Sequence, residues 1–166
     1  MTKLIQFLIL SLTFAITAMA QTQPLPSTPS WSFMSDSYTY SGALDVQIFK
    51  TNTGGKIVLT LKVSDPSFYI GNNVYLFLED GNVITCTDKG IRSTSGKEIQ
   101  SSYFINPREI ALLKKQTLTD VRFQIIGKES QFSSPTGFFT ARNKIRSFGL
   151  PDKAYATTTD INLIFP

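Results

Sequence analysis

The chain contains no histidine among its 166 residues. This absence excludes Ser-His-Asp and Cys-His catalysis and histidine-ligated zinc, and it removes the side chain that most often transfers protons near neutral pH. A hydrolase built on this chain would have to use paired carboxylates, as glycosidases do. The twelve acidic residues are scattered over positions typical of turns, caps and strand ends, so the order of residues predicts no catalytic pair.

Cysteine is almost absent as well, since Cys86 is the only one. We expect it to be buried as a small apolar residue, because it lies within the strand-like run Val83–Thr87. The alternative is a disulfide to a second chain. A chain of about this length buries roughly 68–70% of its unfolded surface, so it can form a core without a disulfide or a structural metal.

Long apolar runs are missing except at the start of the chain. There Lys3 precedes the apolar run Leu4–Ile16, and the segment closes on Ala18-Met19-Ala20. This pattern is typical of a secretory signal peptide over residues 1–20. The sequence therefore predicts an exported protein, periplasmic or extracellular, that begins near Gln21 and, since Gln21 is not a cysteine, carries no lipid anchor there. No later run is long enough to span a membrane.

Charge of one sign is not concentrated anywhere in the chain. Without Lys3, fifteen basic and twelve acidic residues leave a net charge of about +3. Local basic groups occur only at Lys114-Lys115 and within 142–146. Nucleic-acid-binding proteins usually gather basic residues on one face, so we expect no nucleic acid as partner.

Alternating apolar residues are the main structural signal. They run through 44–48 and 57–63, with turn residues between, and again through 74–79 and 82–87 on either side of Asp80-Gly81. A period of two that is interrupted by turn residues is typical of β-hairpins. The Asp-Gly pair favours a two-residue turn in which both residues have positive φ.

In the middle of the chain, the spacing of apolar residues changes once from the period of a strand to that of a helix. Asn106 and Pro107 provide a helix N-cap and first-turn proline, an acid follows at the third position, and a short helix is expected to end near Lys115. Strands are expected at 97–105 and 117–126, whereas the polar segment from Asp88 to Gly96 is interpreted as a loop.

The last third of the chain is less regular. We interpret 138–148 as a strand, with a helix as the alternative, and 160–165 as either an edge strand or a terminal helical turn. Together these elements predict an antiparallel β-sandwich of about seven to eight strands with one short helix. The domain would cover 31–166 after a proline-rich linker at 21–30, and an α+β fold is the alternative.

Aromatic residues cluster at the predicted start of the domain. Trp31, Tyr38 and Tyr40, with Phe33 nearby, are candidates for binding, because exposed rings stack on sugars and anchor protein partners. The alternative is that these rings pack into the core.

A second aromatic group lies near the end of the chain. Phe138 and Phe139 precede three basic residues, Arg142, Lys144 and Arg146. Contact with a membrane surface or a polyanion is one interpretation, and a strand with one buried face is the other.

Two further patterns predict no ligand. Gly90–Lys97 superficially matches a phosphate-binding loop, but five residues separate its glycines and Glu98 follows where a hydroxyl residue is required. Oxygen ligands at 79–82 and Asp88 match no EF-hand spacing. We therefore expect neither a cofactor nor a metal.

The function predicted from these patterns is an exported, non-enzymatic binding or structural module. Its partner would be a polysaccharide or an envelope protein. One alternative is a histidine-free glycan hydrolase with paired carboxylates. Another is an inhibitor or accessory subunit that docks through unpaired strand edges at 31–40 or at the C-terminus.

Overall fold

The computed structural model describes residues 24–35, 42–130, 133, 136–145 and 153–166. Its strands are β1 (Trp31–Ser35), β2 (Ala43–Thr51), β3 (Gly54–Lys62), β4 (Tyr69–Leu78), β5 (Val83–Cys86), β6 (Ile91–Ser95), β7 (Glu98–Ile105), β8 (Leu118–Ile126) and β9 (Gly137–Arg142). Two helices, α1 (Pro107–Leu113) and α2 (Thr157–Ile164), complete the described elements.

The mainly β, antiparallel fold predicted from the sequence is confirmed. The nine strands form one hydrogen-bonded sheet in the order β5-β4-β8-β9-β1-β2-β3-β7-β6. The sheet curls until β4 approaches β7, where the Ser101 hydroxyl donates to the carbonyl of Ile70 at 2.8 Å and Arg92 Nε donates to the same carbonyl at 3.0 Å. One apolar core lies inside this curl.

The first predicted hairpin is confirmed, and it forms much of the core. Leu44, Val46 and Ile48 on β2 are fully buried, as are Ile57 and Leu59 on β3. Thr51 pairs with Gly54, so two residues make the turn. Alternate residues of a strand point to opposite faces of the sheet, and the apolar set therefore faces inward along both strands.

The second predicted hairpin is confirmed with a different turn. Gly81 N donates to the carbonyl of Leu78, and Leu78 N donates to the carbonyl of Asn82, both at 2.9 Å. Gly81 has φ of 85°, whereas Asp80 does not have a positive φ. The connection is therefore a three-residue loop that ends on a left-handed glycine.

The segment expected to be a loop, from Asp88 to Gly96, contains strand β6. Every residue of β6 is exposed, and β6 pairs only with β7 at the end of the sheet. A strand with water on both faces needs no apolar alternation, so period-two patterning could not reveal it.

The predicted helix α1 is confirmed with its capping box. The Asn106 side chain accepts from Arg108 N at 2.9 Å and from Glu109 N at 3.0 Å. The Glu109 carboxylate in turn accepts from Asn106 N at 2.7 Å. Such reciprocal bonds satisfy backbone donors that a helix leaves free at its first turn.

The end of the chain resolves one alternative left open by the sequence, since 157–164 is helical. Thr157 is fully buried, and its hydroxyl accepts from Leu118 N at 3.0 Å. Strand β9 confirms the first part of the strand expected over 138–148, but it ends at Arg142, and residues 146–148 lie outside the described residues.

The start of the chain also differs from expectation. Thr28 is buried, and residues 26–28 pair with β2, with Thr28 N donating to Ile48 O at 2.9 Å and Lys50 N to Pro26 O at 2.8 Å. The packed part of the chain thus begins several residues before Trp31.

The inhibitor or accessory-subunit alternative would be favoured by unpaired strand edges at 31–40 or at the C-terminus. In the described part of these segments, β1 pairs with β2 along Trp31–Met34 and with β9 at Met34 and Ser35, and 157–164 is helical. Sheet edges lie instead at β5 and β6. No helix in the described part of the chain has the length and apolar character needed to cross a membrane.

Candidate functional site

Trp31 does not offer an exposed ring. Its side chain is fully buried, and its Nε1 donates to Asp160 Oδ2 at 2.8 Å. The expectation that Trp31 forms part of a surface platform is corrected: the residue lies on the inward phase of β1, where Phe33 is also buried. Tyr38 and Tyr40 lie outside the described residues.

The second aromatic group is split between the two faces of β9. Phe139 is buried and packs against Phe123, with 6.0 Å between the ring centroids. Phe138 points outward and is 57% exposed. Lys144 is half-buried. The expected strand with one buried face is therefore present, and Phe138 remains as an exposed ring.

Phe138 belongs to a larger outer surface on β4, β8 and β9, which we name the aromatic face. It consists of outward-pointing residues of three adjacent strands: Tyr69, Tyr75, Phe77, Arg122, Ile126 and Phe138. Four of the six are aromatic. Such rings combine large apolar area with an electron-rich face.

Arg122 sits at the centre of the aromatic face. It lies opposite Tyr75 on β4 and opposite Thr140 on β9. Its guanidinium carbon is 5.2 Å from the centroid of the Phe138 ring, which is within the range of a cation–π interaction. Among the described residues Arg122 has no carboxylate partner, whereas Arg142 at the rim pairs with Asp120 at 3.5 Å.

Sheet geometry sets the length of this surface. Tyr75 is two strands away from Phe138 and two residues out of register with it. With strands about 4.8 Å apart and a rise of about 3.4 Å per residue, their Cα atoms are about 12 Å apart. An extended ligand can therefore contact both rings while passing over Arg122.

A glycine keeps the aromatic face continuous at its other end. A Cβ atom on Gly71 would lie 2.6 Å from Ile126 Cδ1 and 2.9 Å from Tyr69 Cε2. These two side chains therefore lie across the backbone of Gly71. Next to them, Gln124 accepts from Asn72 Nδ2 at 2.7 Å, which places an ordered amide pair beside the rings.

A cleft lies where the two ends of the curled sheet meet, and we name it the seam cleft. Its volume is about 370 Å³, and it is lined by Thr53, Gly55, Thr85, Thr87, Lys89, Phe104, Ile105, Asn106 and Glu109. Its lining combines hydroxyl groups, one ammonium and one carboxylate with the apolar side chains of Phe104 and Ile105. The Phe104 ring at its mouth is 51% exposed.

Cys86 is buried near the seam cleft, which confirms the expected burial. Its exposure is 1%. Burial raises the pKa of the Cys86 thiol to about 12, and the negative charge of Glu109 contributes in the same direction. The thiolate is the reactive form of cysteine, so this residue is protected from chemistry in the folded protein.

Cys86 should accordingly resist alkylation until the protein unfolds. At pH 8 we expect iodoacetamide to label less than about a tenth of the folded protein in the time needed to label the unfolded protein fully. Mass spectrometry measures the labelled fraction. Equal labelling rates in buffer and in denaturant would contradict the buried position.

Two carboxylates line a smaller cleft on the outer side of β1, β2, β3 and β7. The Ser32 hydroxyl donates to Asp45, and Lys62 Nζ is 3.6 Å from Glu98. The cleft is about 240 Å³ in volume. Small-molecule sites typically have volumes of about 300–1,000 Å³, so this cleft is small for a glycan substrate.

The described residues contain no group of three or more acidic, cysteine or histidine side chains placed to hold a metal ion. Comparison with family models, with curated proteins and with solved structures gives no match.

Sequence patterns missed most of the aromatic face. The run Val74–Leu78 is apolar at both inward and outward positions, so it predicts a hairpin strand without indicating that one of its faces is a surface. The available signal was the identity of the outward residues, since Tyr75 and Phe77 are aromatic where a solvated face usually carries polar side chains.

Proposed function

We propose that this chain is an exported, non-enzymatic binding module that takes up a polysaccharide on the aromatic face. The observation that carries the proposal is the exposed Phe138 ring beneath Arg122, with Tyr75 on the far side of the same cation. Rings aligned along an open sheet face suit an extended polymer, because each ring can pack against the apolar side of a sugar while its polar neighbours bond to hydroxyl groups.

The charge on this face favours a polymer that carries carboxylate or sulfate groups. Arg122 has no carboxylate partner within the described part of the chain, and a guanidinium can bind such a group through two parallel hydrogen bonds. The acid that is nearest in register, Asp120, is paired with Arg142. An anionic polymer would therefore find an unneutralised cation between the two rings.

The proposal predicts that Phe138→Ala weakens binding to an acidic polysaccharide at least tenfold. Loss of a side chain that anchors a binding surface costs about 2 kcal/mol or more, and a tenfold change corresponds to about 1.4 kcal/mol. The measurement is isothermal titration calorimetry, in which polygalacturonate is titrated into the purified exported protein. A neutral glucan is titrated in a parallel experiment to show whether binding requires the negative charge of the polymer.

The matched control is Phe104→Ala, which removes a ring of similar exposure on a different part of the surface. Arg122→Gln should weaken binding and reduce its dependence on salt, because a surface ion pair is screened by added ions. Equal effects of Phe138→Ala and Phe104→Ala, or no binding to either polymer, would contradict the proposal. Shortening of the polymer during the titration would instead favour the hydrolase alternative.

A further inference from the structure

One half of β7 has an unpaired edge. The first residue of β6, Ile91, pairs with Ser102 of β7. The rest of β7, from Tyr103 to Ile105, therefore pairs only with β3. Val63 N donates to Lys97 O at 2.9 Å, in register with the β3–β7 ladder. Hydrogen-bonded pairs alternate along an antiparallel ladder, and the backbone N–H and C=O of Phe104 therefore point away from β3, toward the seam cleft.

β5 has an unpaired edge as well. It is the last strand of the sheet, and the bond from Leu78 N to Asn82 O fixes which of its residues bond to β4. By the same alternation, Ile84 and Cys86 bond to β4, and the backbone groups of Thr85 point outward. Thr85 lines the seam cleft.

The seam cleft is thus bounded by two strand edges that are free. Thr85 and Thr87 form one wall, and Phe104 forms the other. No hydrogen bond within the described residues reaches the backbone groups of Thr85 or Phe104 on this side. A strand edge of this kind is a template for pairing with another chain.

We propose that the seam cleft binds an extended peptide segment of a partner protein by strand addition to β5. One edge of an extended backbone carries alternating donors and acceptors, which can bond to the outward backbone groups of Thr85. Lys89 and Glu109 in the same cleft supply a positive and a negative side chain that can select charged residues of the peptide, and Phe104 supplies an apolar contact. In this mode, backbone bonds give affinity and side-chain contacts give specificity.

A second copy of this chain fits the cleft less well than a single peptide does. The cleft is closed on its far side by β7 and the start of α1. A single peptide needs only the free edge of β5, whereas the edge of a folded sheet brings its neighbouring strand with it, and β7 would obstruct that strand.

This site is distinct from the aromatic face and does not depend on the proposed polysaccharide. The two surfaces share no residue. Together they would let one small domain hold a polymer and a protein segment at the same time.

The test uses peptides selected from a random ten-residue display library on the purified exported protein. The informative variant is Thr85→Pro, which removes only the outward N–H of an edge strand, a position where proline is tolerated. The matched control is Thr94→Pro, at the corresponding outward position of the exposed edge strand β6. We expect Thr85→Pro to weaken binding of the selected peptides at least tenfold, and Thr94→Pro and Phe138→Ala to change it less than twofold.

A second measurement needs no variant of the protein. Methylation of alternate backbone nitrogens of a selected peptide, on the side that pairs, should abolish its binding, and methylation on the opposite phase should weaken it less. The proposal is overturned if no peptide is selected over an unrelated control protein, if Thr94→Pro weakens binding as much as Thr85→Pro, or if N-methylation has no effect on either phase.

Discussion

Replacing Gly127 with alanine is expected to lower the free energy of unfolding by about 3 kcal/mol or more and Tm by about 10 °C. A Cβ atom at this position would lie 1.5 Å from Cδ1 and 1.9 Å from Cε1 of Phe68. Both distances are far below van der Waals contact, so either the ring or the backbone after β8 must move.

Phe68 has little freedom to make room. Its ring is 1% exposed and belongs to the core, and its backbone N donates to Asp65 O at 3.1 Å. Protein interiors are packed as densely as organic crystals, and a displaced phenyl ring must therefore displace its neighbours. The space next to Phe68 holds only the hydrogen of Gly127, so glycine is the one residue type that fits directly after β8 without a shift.

The control for this substitution is Gly96→Ala. Gly96 has φ of 58°, but no atom lies within 4 Å of the position its Cβ would take. The expected loss of unfolding free energy in Gly96→Ala is about 1–2 kcal/mol, because alanine is strained in this left-handed backbone conformation. Urea unfolding followed by the fluorescence of Trp31, the only tryptophan and a buried one, measures both variants. Equal destabilisation by the two would show that the contact with Phe68 does not limit the position.

Asn143→Ala is expected to lower the free energy of unfolding by about 3 kcal/mol. The Asn143 side chain is buried, and Nδ2 donates to Leu118 O at 2.9 Å and to Tyr155 O at 3.0 Å. Its Oδ1 accepts from Tyr155 N at 2.7 Å. Each buried group left without its partner costs about 1–3 kcal/mol. Alanine would remove the hydrogen-bond partner of three backbone groups, which are Leu118 O, Tyr155 O and Tyr155 N.

The matched control is Asn162→Ala on α2. Asn162 also donates to two carbonyls, those of Lys114 and Thr158, each at 2.9 Å, but it is exposed. Water can replace both bonds, so the expected loss is below about 1 kcal/mol. If the two variants unfold at the same urea concentration, the hydrogen bonds of Asn143 to Leu118 and Tyr155 do not contribute the expected stability.

The elements that could be predicted from the sequence are those formed by residues close together in the chain. The β2–β3 hairpin follows from buried residues at alternate positions, and α1 follows from Asn106, Pro107 and Glu109, whose capping roles are local. Burial of Cys86 followed from its place in an apolar strand. In each case the residues that produce the structure are neighbours in the chain.

The sequence could not predict features that depend on which strands meet. β6 is exposed on both faces and is held only by β7, so no periodicity marks it. Trp31 is buried because β1 lies in the middle of the sheet, between β9 and β2. The aromatic face brings together Tyr75 and Phe138, which are far apart in the chain and become neighbours only through β8.

Amide chemical-shift mapping tests the central proposal most directly. The isotope-labelled exported protein would be titrated with polygalacturonate fragments, and shifts would be compared for every assigned amide. Binding on the aromatic face predicts the largest changes at Tyr75, Arg122 and Phe138, with little change at Phe104 or Glu109 of the seam cleft. Largest changes in the seam cleft, or shifts spread evenly over the basic side chains, would contradict it.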